Sequence, residues 1–112
     1  MSFETEIVDG IALVTVTAGR LDASIAPDLK KAVAEIIDKG TSRIMLDLDR
    51  VQFMDSSGLG AVISSFKLTG QKGEFVICNM NDAVKEIFTL THMDRLFEIY
   101  PSTDEGFQKM CA

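Results

Sequence analysis

Apolar positions along this chain switch back and forth between a period of two and a period of about 3.6, the spacings at which strands and helices turn one face inward. Ile11 to Thr17 alternates weakly and is rich in β-branched residues, and Asp9 with Gly10 forms a hairpin turn signal that links this run back to Phe3 to Val8. Two antiparallel strands are predicted. Ile25, Leu29, Val33, Ile36 and Ile37 then recur at helical spacing, with Asp22 or Ser24 as cap and Gly40 as stop. Ile44, Met45, Leu46 and Leu48 form a short apolar run, as expected of a strand covered on both faces. A loop from Asp49 through Met54 leads to a second helix, with Leu59, Val62, Ile63 and Phe66 on one face and Gly70 at its end.

The alternation continues to the last residues. Phe75 to Cys78 reads as a strand, Asn81 as the cap of a helix carrying Val84, Ile87 and Phe88, and Phe97 to Tyr100 as a last short strand. Ser102 and Glu105 have capping-box spacing, which predicts a short helix with Phe107 and Met110 inward, weakened by Gly106. Two strands followed by repeated helix and strand give an α/β fold. The expected sheet is mixed, with about four to five strands: an N-terminal antiparallel hairpin, the remaining strands largely parallel, and about four helices packed against it.

Composition narrows the class without changing that picture. A chain of 112 residues with 46% hydrophobic and 25% charged residues fits one globular domain over 1–112, with no linker or repeat. The net charge of −6, with 11 scattered basic residues, argues against a nucleic-acid surface and points to protein partners. Residues 1–6 carry two glutamates and no basic segment ahead of an apolar run, and no stretch approaches a membrane span, so the expected location is the cytoplasm with no membrane contact. Cys78 and Cys111 are far apart, so both are expected to be reduced thiols without metal or redox chemistry.

Candidate chemistry concentrates in Asp55, Ser56, Ser57, Gly58, Leu59 and Gly60, where a carboxylate and two hydroxyls precede a helix. Glycine inside a helix costs roughly 0.8 to 1 kcal/mol relative to alanine, so Gly58 and Gly60 imply a close approach to the backbone, and a partner protein is a candidate for it. As residues alone, Asp55, Ser56 and Ser57 are equally well helix caps. Capping is also compatible with phosphorylation, because a helix start favours an anion. Enzyme readings fail here: Met54 stands where a G-x-S-x-G elbow needs glycine, and no phosphate loop with its lysine occurs. His92, near a helix end, is assigned no function. Asp47 and Asp49 are expected to be solvated strand-edge residues, since Thr15 to Arg20 supplies no acid for a magnesium site. No catalytic residue, metal or cofactor is expected.

Gly19, Arg20, Leu21, Asp22 and the run Phe53 to Gly60 resemble the STAS domain family, and the bacterial anti-sigma factor antagonists within it, over nearly the whole chain. The resemblance implies that Ser56 is phosphorylated by a serine kinase that is itself the anti-sigma factor, and restored by a serine phosphatase. Ser57 is its structural neighbour. The unphosphorylated form would bind the anti-sigma factor and displace a sigma factor; the phosphorylated form would let go. The implied contact surface is Arg20, Asp22, Asp55, Ser57, Gly58 and Leu59. Many relatives carry glutamate where this chain has Arg20, so the charge facing a kinase differs. The resemblance also allows a constitutive docking subunit, or a partner switch whose output is secretion, biofilm, stress signalling or a lipid-transport assembly.

Overall fold

Asp9 and Gly10 both take positive φ (53° and 78°), the twist that a two-residue hairpin demands. They fold β1 (Phe3–Val8) onto β2 (Ile11–Val16) in antiparallel register, from Phe3 opposite Val16 to Val8 opposite Ile11. The structure, a computed structural model, describes residues 2–112. After the hairpin come β3 (Arg20–Leu21), α1 (Ala26–Asp38), β4 (Arg43–Asp47), β5 (Phe53–Met54), α2 (Ser56–Thr69), β6 (Glu74–Cys78), α3 (Asp82–Leu90), β7 (Glu98–Tyr100) and α4 (Thr103–Met110).

The main sheet runs β1-β2-β4-β6-β7, and every neighbouring pair after the hairpin is parallel. This is the predicted α/β architecture with five strands and four helices. One addition was not expected. β5, which lies in the expected loop Asp49 to Met54, and β3, for which no element is predicted, pair in parallel as a separate ribbon. Strands of two residues are too short to show any period, so only tertiary pairing reveals them.

Alternation along the central strands divides the core between the two faces. Ala12, Val14, Ile44, Leu46 and Ile77 pack against α1, α2 and α3 through Leu29, Val33, Val62, Val84 and Phe88. The intervening Ile11, Met45, Val76 and Cys78 face Met110 of α4 instead, so β4 is covered on both sides as its unbroken apolar run requires. Each such aliphatic side chain stabilises by about 1.5 to 3 kcal/mol when fully buried. Phe97 is the hub of an aromatic group, with Phe66 and Phe88 edge-on at centroid distances of 5.2 and 5.7 Å. Gly106, read as a weakness of α4, lets that helix seat on the sheet: a Cβ there would lie 2.8 Å from Cys78 Sγ and 2.9 Å from Met45 Cε. Burial, and secondarily the Asp47 carboxylate, push the Cys78 thiol up to about 12, so it acts as an apolar filler.

The start of α1 departs from expectation. Neither Asp22 nor Ser24 caps it; Ile25 holds the cap position without a side-chain bond, and Pro27 lies in the first turn, where a missing N–H does no harm. Asp22 Oδ1 instead accepts from the Ser24 amide (3.0 Å) and hydroxyl (2.6 Å), fixing a turn ahead of the helix. Asp47 also differs from its expected solvated state. It is half-buried and accepts from Asn79 Nδ2 at 3.0 Å, which ties β4 to the end of β6, whereas Asp49 is exposed.

Candidate functional site

The β3–β5 ribbon sets the geometry of the segment that carries the candidate chemistry. Its two ladder pairs alternate: Leu21 and Met54 turn inward and are buried, while Arg20 and Phe53 turn outward. The Asp55 amide then donates to the Leu21 carbonyl at 3.4 Å, and the chain enters α2. Asp55 is the N-cap in extended conformation (φ −109°, ψ −172°), its carboxylate accepting from the Gly58 amide at 3.0 Å. Its carbonyl accepts from the Leu59 amide at 3.0 Å. Ser56 and Ser57, the first two residues of the helix, are exposed. Their amides belong to the first turn, which has no carbonyl partner within the helix.

Two residues of the expected contact surface lie elsewhere. Gly58 is buried, and the close approach it permits is internal: a Cβ would stand 2.9 Å from the Leu21 carbonyl carbon, nearer still to its oxygen, and 3.0 Å from Met54 Cγ. β3, not a partner, is what presses on this glycine. Leu59 is buried as well and joins the core beneath the helix, because it stands three and seven residues ahead of Val62 and Phe66 and shares their inward face. Gly60 faces open space. The exposed remainder of the predicted set, Arg20, Ser56 and Ser57, together with the half-buried Asp22 and Asp55, stays on one connected run of ribbon and helix start.

Electrostatics tie this surface together. The Ser24 hydroxyl and amide bonds, with a smaller contribution from Arg20, hold the Asp22 carboxyl below the usual aspartate range. Arg20 Nε lies 3.4 Å from Asp22 Oδ2, and its guanidinium sits 4.4 Å from the centroid of the Phe53 ring. Among the described residues no group of three or more His, Cys, Asp or Glu side chains is placed to hold a metal ion, and no helix is long and apolar enough to cross a membrane. His92, exposed and left-handed (φ 61°), lies in the segment after α3.

One contributor was legible only in part. Asn81 caps α3 as predicted, its Oδ1 accepting from the Val84 amide at 2.8 Å. Its Nδ2 also donates to the Val51 carbonyl at 3.1 Å, which pins the loop ahead of Ser56. No sequence pattern signals that second bond. Asn81→Ala loses the cap and leaves the Val51 carbonyl without its donor; the expected loss is about 2 kcal/mol in denaturant unfolding. Asn81→Ser keeps a capping hydroxyl and removes only the loop bond, so roughly half that loss is expected.

Comparison with known proteins agrees with this geometry. The STAS domain family model matches residues 2–106. The chain is 31% identical over 102 residues to the anti-sigma F factor antagonist of Paenibacillus polymyxa, covering 89% of this chain and 86% of that protein. It is 34% identical over 83 residues to the anti-sigma-B factor antagonist of Listeria monocytogenes, covering 73% of each. The crystal structure of an anti-sigma factor antagonist from Mycobacterium paratuberculosis superimposes with a TM-score of 0.90 at 25% identity, over 98% of this chain and 93% of that one. A family model spanning nearly the full chain, relatives above 30% identity and a superimposing fold lead to one assignment: this chain belongs to the STAS domain family.

Proposed function

We propose that this chain is an anti-sigma factor antagonist in a partner-switching circuit, binding an anti-sigma factor when Ser56 is unmodified and releasing it when Ser56 is phosphorylated. The relatives that carry the antagonist name support the binding role. The observation that carries the switch is the placement of the Ser56 side chain, exposed at the first helical position of α2 beside the capping Asp55. There the helix start favours a phosphate while the outward surface changes its charge. The anti-sigma factor is the serine kinase, a serine phosphatase reverses the modification, and the exchange takes place in the cytoplasm. The chain itself is a ligand in this scheme and performs no catalysis.

The test is incubation with the cognate kinase and ATP, followed by peptide mass spectrometry. Phosphate is expected on Ser56, and Ser56→Ala is expected to remain unlabelled while binding the anti-sigma factor within about threefold of wild type, since an exposed methyl replaces an exposed hydroxyl. Phosphate found only on Ser57 or elsewhere sinks the assignment. Binding that ignores phosphate would instead make the chain a constitutive docking subunit.

A further inference from the structure

Phe53 is 43% exposed, and the ribbon holds it there. Its strand neighbour Met54 and the facing Leu21 carry the packing beneath, at 1% and 0% exposure, so the ring adds little to the interior. A single exposed apolar side chain is ordinary on any protein surface. This one is restrained: the Arg20 guanidinium covers the ring at 4.4 Å, Arg20 pairs with Asp22 at 3.4 Å, and Asp22 is in turn fixed by the Ser24 hydroxyl at 2.6 Å. Ring, cation, carboxylate and hydroxyl thus form a chain of contacts that removes side-chain freedom before any partner arrives. Rigid aromatic and arginine side chains in such arrangements are what binding hot spots are made of, because the ordering cost is already met in the free protein.

Position adds the second argument. Phe53 lies three residues ahead of Ser56, with only Met54 and the capping Asp55 between them, on backbone fixed by Gly19, Leu21 and Asn81. A phosphate on Ser56 is therefore added three residues along a fixed backbone from the ring. Asp22 and Asp55, the residues that follow the two strands of the ribbon, give its border acidic character.

We propose that Phe53, held beneath Arg20, is the apolar anchor by which the unphosphorylated chain grips its anti-sigma factor, the partner offering an apolar recess that closes against the neutral Ser56 hydroxyl. This deepens the reading of Ser56 as a switch and rests on it. Arg20 acts as the positioning residue that keeps the ring in its binding orientation.

The probe is the purified cognate anti-sigma factor, titrated by calorimetry with unphosphorylated wild type, Phe53→Ser, Phe53→Leu and Arg20→Gln. Phe53→Ser is expected to weaken binding about 30-fold or more, as loss of a hot-spot ring does, and Phe53→Leu by no more than about fivefold. Arg20→Gln is expected to cost about three- to tenfold, and the double variant Phe53→Ser with Arg20→Gln less than the product of the singles, because the arginine acts through the ring. Phe53→Ser binding within about threefold of wild type overturns the anchor while leaving the Ser56 switch standing, provided phosphorylated wild type still releases. Absence of binding by wild type overturns both. Should Phe53→Ser melt early, Arg20→Gln decides, since that side chain is 64% exposed and outside the core: full affinity overturns the proposal.

Discussion

Gly58→Ala is expected to lower the thermal midpoint by about 10 °C, whereas Gly60→Ala, on the same helix, is expected to raise it by about 2 to 4 °C. Both substitutions gain the same intrinsic helix propensity, roughly 0.8 to 1 kcal/mol. The difference is what the new methyl meets. At position 60 it meets open space. At position 58 it meets the Leu21 carbonyl, a backbone group that cannot rotate away and that also receives the Asp55 amide. Overpacking typically costs about 1 to 3 kcal/mol, and a backbone obstacle places this site at the upper end. Relief requires α2 to lift from β3, which also displaces Ser56, so Gly58→Ala is expected to slow phosphorylation as well. Melting curves of the two variants check the contrast; an unchanged midpoint for Gly58→Ala would refute the close packing of α2 on β3.

Phosphorylation of Ser56 is expected to weaken binding of the anti-sigma factor at least about 100-fold while moving the melting temperature by no more than about 3 °C. The two effects separate because they draw on different neighbours. Within the folded chain the dianion meets the unpaired amides of the first turn, worth roughly 0.3 to 1 kcal/mol, and that gain is opposed by the nearby Asp55 carboxylate. Stability therefore changes little. In the complex the same phosphate must be desolvated against a surface fitted to a hydroxyl, and like-charge or unpaired-charge burial costs several kcal/mol. A penalty of about 2.7 kcal/mol already corresponds to 100-fold. Ser56→Asp carries about half the charge and is expected to show only part of the loss. Calorimetry with stoichiometrically phosphorylated protein is decisive: affinity equal to that of the unmodified form ends the switch model.

The elements read correctly from sequence are those whose signals are local. The Asp9–Gly10 turn, the apolar period of α1 and the caps at Asp55, Asn81 and Ser102 each depend on residues within a few positions of one another. What could not be read depends on distant partners. β3 and β5 are strands only because residues 20–21 meet residues 53–54 across the fold. Gly58 looked like a gap left for a visitor, yet it accommodates the Leu21 carbonyl, a neighbour 37 positions earlier that no local pattern identifies. Leu59 was placed on the surface for its membership of the motif, although its helical phase relative to Val62 and Phe66 already pointed inward. The second bond of Asn81, and the arginine over Phe53, were invisible for the same reason: both join residues about 30 positions apart.

The alternation in the β3–β5 ribbon separates two demands that many proteins must satisfy with the same residues. Leu21 and Met54 answer to the interior; Arg20 and Phe53 answer to the exterior. If the outward pair contacts the partner as proposed, drift there changes which partner is recognised without eroding the scaffold. In a cell holding several copies of this domain, such freedom allows parallel circuits to be insulated from cross-talk by exchanging two side chains.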